Sequence, residues 1–340
     1  MQKMRSYHVE MGKGLNGISF REHAIPVPGP GEALVRVKAC SLNYREIMII
    51  FQGVYPLPVR SDVIPLSDGA GEVVEVGEGT TRVKPGDPVV ASIFPDWTHG
   101  PFSLANAAQL GGSLNGMLSE YVVLREEALV PIPEHLSFEE AAALPCAGVT
   151  AWHALTCGPN MVAGDTILTL GSGSVSLFAL QLAHSLGARV IATTSSEAKA
   201  QRLKALGADE VINYRVTPDW HKAVRELTDG RGVDRVIEVG GAGTLIQSIM
   251  STAFEGHISL IGGLSDRTQT IDFNALVSNV YGLRSIAVGN RTQFEAMNTV
   301  ISKHRIKPVL DRVFPFDKAK EALTYYREKS PFGKVVVRVG

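Results

Sequence analysis

From Asp165 the chain keeps one rhythm for roughly 120 residues, and that rhythm leaves few folds open. A short apolar strand, "DTILTL", runs into the glycine turn "GSGSV" and the helix "SLFALQLAHSLGA", closed by Gly187. The strand "RVIATT" follows, then the helical "EAKAQRLKALGA", the strand "EVINY", the helical "DWHKAVRELTDG" and the strand "DRVIEVGG". A helix around Leu245–Phe254 and the strand "HISLIGG" complete the series. Strands joined one by one through helices form a parallel sheet covered on both faces. The expected fold is α/β, a doubly wound parallel sheet.

The flanks read differently. "EALVRVKA", "AGEVVEVGEG", "VKPGDPVVAS" and "SEYVVL" are short strands between Gly and Pro punctuation, the pattern of a barrel or sandwich. "SFEEAAAL" opens a helix through a capping box, with Ser137 three residues before Glu140. After "RSIAVGN", a helix at Thr292–His304 and the final strand "GKVVVRV" fall outside the α/β rhythm. Two domains follow: residues 1–148 with 291–340 as a β-rich unit, and residues 149–290 as the α/β unit.

A formal charge of -1 gives no electrostatic footprint for nucleic acid. No apolar run approaches the ~18 residues of a membrane span, and the N-terminal segment has no apolar leader region. Cys40, Cys146 and Cys157 are too few and too scattered for a disulfide framework. The expected compartment is the cytoplasm.

Gly171 and Gly173 sit between a strand and a helix, followed by Ser174 and Val175. In G-x-G-x-x-G the first glycine makes the tight turn and the second admits a pyrophosphate. The third position is Ser176, so the fingerprint is incomplete, and its strand–turn–helix setting carries the reading of dinucleotide binding. An NAD site generally places Asp or Glu at the end of the second strand. Here that strand ends in Thr194, Ser195 and Ser196, with Lys199 and Tyr214 beyond it. Serine, lysine and tyrosine donors without a carboxylate suit a 2′-phosphate, so NADP is preferred and NAD is the alternative.

Several segments together resemble the medium-chain dehydrogenase/reductase superfamily over nearly the whole chain. They are "PLSDGAGEVVEVGEGTTRVKPGDPVV", "LPCAGVTAWHAL", the glycine turn and "VIEVGG". The resemblance implies a GroES-like catalytic domain, a Rossmann domain and nicotinamide chemistry. Zinc members hold their metal with Cys, His and Cys; those positions fall on Asn43, Ser67 and Cys146. Amide and hydroxyl groups are poor zinc ligands, and the closely spaced cysteines of a structural zinc lobe are lacking. The resemblance therefore points to the zinc-free branch of quinone oxidoreductases and enone reductases, with no metal. By the same resemblance Asn43 and Thr150 lie near the nicotinamide, and Val239, Gly240, Ile261 and Gly262 line the cofactor. Val288 and Gly289, in "VGNR", hold the carboxamide, and Lys334 supplies a basic residue near the cofactor.

Hydride transfer leaves negative charge on the acceptor, which needs stabilising donors. Without a metal, enones and quinones are better acceptors than simple ketones because they delocalise that charge. Asn43, Tyr44, Arg45 and Tyr55 are candidate donors in "NYREIMIIFQGVY", and a tyrosine or a water can deliver the proton. Asn43, Tyr44 and Tyr55 are the candidate catalytic residues. His99 is a surface histidine, and Phe94, Trp97 and Phe102 form either a substrate wall or ordinary loop packing. Cys146 reads as a small packing residue rather than a nucleophile, since no neighbouring histidine supplies a base.

The leading reading is a zinc-independent NAD(P)H-dependent oxidoreductase acting on a small carbonyl, enone or quinone. One alternative is an NAD(P)-dependent alcohol/aldehyde dehydrogenase; another is a dinucleotide-binding protein with little turnover. A homodimer or higher homo-oligomer is expected, with "GLRSIAVGN" as a pairing edge.

Overall fold

A computed structural model describes residues 3–263, 273–277 and 281–340. Its contacts divide into one unit of Met1–Val149 with Asn290–Gly340 and a second of Thr150–Gly289.

The first unit opens with a hairpin, β1 (Lys3–Val9) against β2 (Ile18–Ala24), which the sequence pattern did not suggest. The strands β3 (Glu32–Ser41), β4 (Asp68–Val76), β5 (Pro88–Ala91), β6 (Tyr121–Arg125) and β7 (Leu129–Pro131) follow. The capping box forms as expected. Ser137 Oγ accepts the Glu140 N–H at 3.2 Å, Glu140 Oε2 accepts the Ser137 N–H at 2.9 Å, and the helix runs Phe138–Ala141.

The second unit contains β8 (Thr166–Thr169), β9 (Arg189–Thr194), β10 (Glu210–Asn213), β11 (Val233–Glu238), β12 (Thr252–Leu260) and β13 (Gly282–Ser285). They form one parallel sheet in the order β10-β9-β8-β11-β12-β13. Leu168, Ile191, Val236 and Ile258 are buried in the same core cluster. Each such side chain contributes about 1.5–3 kcal/mol through burial. The helix expected to reach Phe254 instead spans Ala242–Ser251. Thr252 turns to extended backbone and begins β12, so the helical reading ran three residues too far. Progression from β8 to β10 goes one way across the sheet and from β11 to β13 the other. This reversal between β8 and β11 is the switch point at which open α/β sheets bind ligands.

The chain then returns to the first unit through the helix Arg291–His304, β14 (Leu310–Pro315), the helix Ala319–Lys329 and β15 (Lys334–Arg338). The resulting sheet has the order β14-β15-β3-β4-β5-β7, with β6 also on β3. Val35, Val37, Val73, Val335 and Val337 lie in its core. The fold is thus a GroES-like β-rich unit interrupted by a Rossmann unit.

Candidate active site

In the second unit, Gly171 has φ +73°, a conformation an L side chain rarely adopts. Gly173 follows as the N-cap of the helix Ser174–Ser185 and offers no side-chain cap. A Cβ at either glycine would meet nothing within 4 Å. The Gly171 N–H donates to Thr193 Oγ1 at 3.1 Å, and the helix start after Gly173 carries no side-chain cap, which fits a pyrophosphate. Ser176 explains the incomplete fingerprint: its buried hydroxyl donates to the Leu170 carbonyl at 2.7 Å, tying helix to strand end.

At the end of β9, Thr194 Oγ1 is buried without a hydrogen-bond partner among the described residues, an orphan suited to a polar ligand. Ser196 Oγ accepts the Lys199 N–H at 3.4 Å and caps the helix Glu197–Ala205. Tyr214 is exposed, and its N–H donates to the Thr194 carbonyl at 2.9 Å. Thr194, Ser195, Ser196, Lys199 and Tyr214 thus follow two neighbouring strand ends.

Next to the switch point, sequence reasoning missed the role of Glu238. This fully buried carboxylate accepts the N–H groups of Gly240 and Gly241 at 2.7 and 2.9 Å, and the hydroxyls of Thr244 at 2.6 Å and Ser248. The Ile261 N–H donates to the Glu238 carbonyl at 2.9 Å. Val239, Gly240, Ile261 and Gly262 thereby share one braced pair of strand ends. The signal was one acid inside an apolar strand. Thr150 is buried. The segment leading to Val288 and Gly289 is held where His153 Nδ1 donates to the Ala287 carbonyl at 3.0 Å. Burial lowers the His153 pKa.

In the first unit, Lys334 is not the solvated strand-end residue its type suggests. It is 1% exposed, and its ammonium donates to Leu42 O at 2.9 Å, Asn43 Oδ1 at 2.7 Å and Asp68 Oδ2 at 3.1 Å. With all three protons engaged, it is a buried counter-ion to Asp68. Asp68 also accepts from Ser41 Oγ at 3.2 Å, Ser67 Oγ at 3.1 Å and the Cys146 N–H at 3.3 Å. Asn43 Nδ2 is buried and has no hydrogen-bond partner among the described residues.

The Asn43 N–H donates to Glu46 Oε2 at 2.7 Å. Burial pushes the Glu46 carboxyl up to about 7, against the opposing pull of Arg45. Arg45 is a structural residue: it donates to Leu110 O and Gln109 Oε1, both at 2.9 Å, and to the Tyr55 hydroxyl at 3.3 Å. Its guanidinium also lies over the Tyr55 ring. The Tyr44 hydroxyl accepts from Gln52 Nε2 at 3.4 Å and is partly exposed. Both phenols keep a proton to donate. Tyr326, which sequence reasoning passed over, joins this group from the helix Ala319–Lys329. Burial and then the Glu46 carboxylate, the Cys146 sulfur and Asp68 raise its phenol pKa.

Of the two readings of the aromatic loop, one holds, and His99 lies at the surface as expected. Phe94, Trp97 and Phe102 pack edge to face with centroids 4.9–6.1 Å apart, and the Trp97 indole donates to Gly100 O at 2.9 Å. With Phe94 and Trp97 buried, this is a loop core rather than a substrate wall. His99 is exposed, 2.9 Å from Thr98 Oγ1.

A Rossmann sheet with an open glycine turn, inserted into a GroES-like unit with a buried polar cluster, defines a nicotinamide-dependent oxidoreductase. Residues 29–134 match the alcohol dehydrogenase GroES-like domain, and residues 174–303 match the family described as zinc-binding dehydrogenase. A zinc-type alcohol dehydrogenase-like protein of Schizosaccharomyces pombe is 42% identical over 334 residues, covering 96% of each chain. A chloroplast envelope quinone oxidoreductase homolog of Arabidopsis thaliana is 30% identical over 344 residues, covering 96% of this chain and 95% of that one. A crystal structure of an NAD-dependent alcohol dehydrogenase superposes with a TM-score of 0.89 at 35% identity, covering 99% of this chain and 100% of that one. The chain belongs to the medium-chain dehydrogenase/reductase superfamily.

The zinc in the second family's description does not suit the donors at positions 43, 67 and 146. Asn43 Oδ1 already holds an ammonium, the Ser67 hydroxyl donates to Asp68, and burial raises the Cys146 thiol pKa, against the thiolate a metal requires. A buried cation beside these groups also repels a second one.

Proposed function

We propose that this protein is a zinc-independent oxidoreductase that uses NADPH, or NADH less well, to reduce a small carbonyl, enone or quinone. The observation carrying this reading is an Asn43 amide whose Oδ1 is held by the Lys334 ammonium and whose Nδ2 donor is left unpartnered among the described residues, where a metal would otherwise act. The name of the Arabidopsis relative is in keeping with a quinone acceptor.

When bound, the dinucleotide supplies hydride. The turn at Gly171, Gly173, Ser174 and Val175 holds the pyrophosphate, with the N–H groups of the uncapped helix start as donors. Thr194, Ser195, Ser196, Lys199 and Tyr214 hold the ribose end, and the absence of a carboxylate there favours a 2′-phosphate. Thr150, Val239, Gly240, Ile261, Gly262, Val288 and Gly289 line the remainder. Asn43 donates to the acceptor oxygen as its negative charge develops, and Tyr44 or Tyr55 supplies the proton. Acceptors that spread their charge need least from such a neutral donor set.

Steady-state NADPH oxidation with an enone, quinone and aldehyde panel tests the reaction; no turnover across the panel rejects it. Metal analysis of protein purified without chelator tests zinc independence, with stoichiometric zinc and chelator-sensitive activity as the contrary result. For cofactor choice, Lys199→Ala and Ser195→Asp should each weaken NADPH binding about tenfold while sparing NADH. Equal NADH and NADPH affinity in the unmodified protein rejects the preference. We also propose a homodimer through the edge strand β13, to be checked by sedimentation.

Glu46 favours a second reading, alcohol oxidation with NAD(H), because a carboxyl near 7 is suited to general-base work. Glu46→Gln would abolish alcohol oxidation and spare enone reduction if the two activities use different proton carriers.

A further inference from the structure

An asparagine amide has an accepting end and a donating end, and its surroundings decide which faces a ligand. Lys334 can only donate, so the atom 2.7 Å from its ammonium is the Asn43 oxygen. Nδ2 therefore points elsewhere, and it is the end left without a partner among the described residues although Asn43 is only 5% exposed. A buried orphan donor calls for explanation, and a ligand oxygen that completes it is the explanation the surroundings support.

The ammonium is itself fixed. Asp68, fully buried, holds it at 3.1 Å while accepting from Ser41, Ser67 and the Cys146 backbone, and the Leu42 carbonyl takes its remaining proton. A positive charge against Oδ1 draws electron density through the amide, making the Nδ2 protons stronger donors. We propose that Lys334 is a positioning residue that locks the Asn43 amide and polarises it, so that Nδ2 serves as a charge-assisted donor to the substrate's carbonyl oxygen. This rests on the reduction reaction proposed above. As hydride bonds to the β-carbon of an enone, the C=C π pair forms the new C=C bond of an enolate and the carbonyl π pair moves to oxygen. Asn43 stabilises that oxygen without giving up its proton. A phenol or water then protonates the α-carbon, so the enone gains a hydride and a proton, two electrons and two protons in all, and the reduced nicotinamide loses the hydride.

The experiment compares the unmodified protein with Asn43→Asp, Lys334→Arg and the charge-balanced pair Lys334→Met/Asp68→Asn. kcat for an enone, NADPH affinity by fluorescence, and the infrared carbonyl stretch of that enone bound with oxidised cofactor are measured. Asn43→Asp, which keeps Lys334 paired but removes the donor, should lose about 100-fold in kcat. Lys334→Met/Asp68→Asn should lose about tenfold or more, with its carbonyl stretch returning toward the aqueous value. NADPH affinity should stay within about twofold in both, because each change acts on the substrate oxygen. Lys334→Arg, which restores a cationic donor, should recover most of the red shift; should the paired variant fail to fold, its loss there overturns the proposal. A folded Lys334→Met/Asp68→Asn protein with unchanged kcat and stretch also overturns it while leaving the reduction reaction standing. If the unmodified protein neither binds NADPH nor turns over any acceptor, the functional reading fails and this one with it.

Discussion

Glu238 Oε1 accepts the N–H of Gly240 at 2.7 Å, folding a buried carboxylate back over the end of its own strand. The same oxygen takes Gly241 N–H and Thr244 Oγ, so one side chain sets the backbone path of a proposed cofactor-lining turn. Glu238→Ala leaves these donors unpaired in the core and should cost about 3 kcal/mol. NADPH affinity should fall with it. Glu238→Gln, which keeps one acceptor oxygen, should lose less in both thermal unfolding and cofactor titration.

Gly262 is held by close approach rather than by its φ. A Cβ there would stand 2.4 Å from the Val239 carbonyl oxygen, a backbone atom with no freedom to swing aside. Gly262→Ala should separate the ends of β11 and β12, destabilise the second unit by about 1–3 kcal/mol and weaken NADPH binding. Calorimetry and fluorescence titration measure the two effects. An alanine variant with native affinity would remove Gly262 from the site.

His257 makes the second unit acid-sensitive. Burial, followed by the charges of Arg235 and Arg284, lowers its pKa to about 4. The folded value lies below the ordinary 6.5, so neutral His257 contributes stability above 6.5 that is lost as pH falls toward 4. Denaturant midpoints should decline over that window. His257→Gln should flatten the decline, even if it lowers the midpoint at neutral pH.

The α/β rhythm was legible because backbone periodicity and glycine turns are local. Gly171, Gly173, Ser137 and Glu140 all act within a few residues of themselves. The hairpin of β1 and β2, strand β14 and the helix Ala319–Lys329 were not legible. Strand β14, for one, depends on pairing with β15, and its own residues show no clean alternation. The site divides in the same way. Asn43 stood out by position, but its partner Lys334 lies 291 residues away in sequence, and Asp68 lies 266 from Lys334. Spacing cannot reveal that a terminal-strand lysine turns inward to neutralise an early carboxylate. Only the closure of β15 onto β3 brings them together.

Glu46 should show the opposite pH sign to His257. Its carboxyl, 2% exposed, sits near 7 because burial outweighs the attraction of Arg45, whose nearest nitrogen is 3.5 Å away. The unfolded chain titrates it near 4.5, so between 4.5 and 7 the folded state holds the proton more tightly. That contribution is fully present below 4.5 and lost as pH rises through 7. A shift of this size corresponds to about 3 kcal/mol at 1.36 kcal/mol per unit. Glu46→Gln, neutral at every pH and still able to accept the Asn43 N–H, should abolish that loss. Its stability relative to the unmodified protein should rise steadily from pH 4.5 to 7 and level off above. Urea titrations across that range give the difference directly, and a pH-independent difference would mean that Arg45 keeps Glu46 ionised throughout.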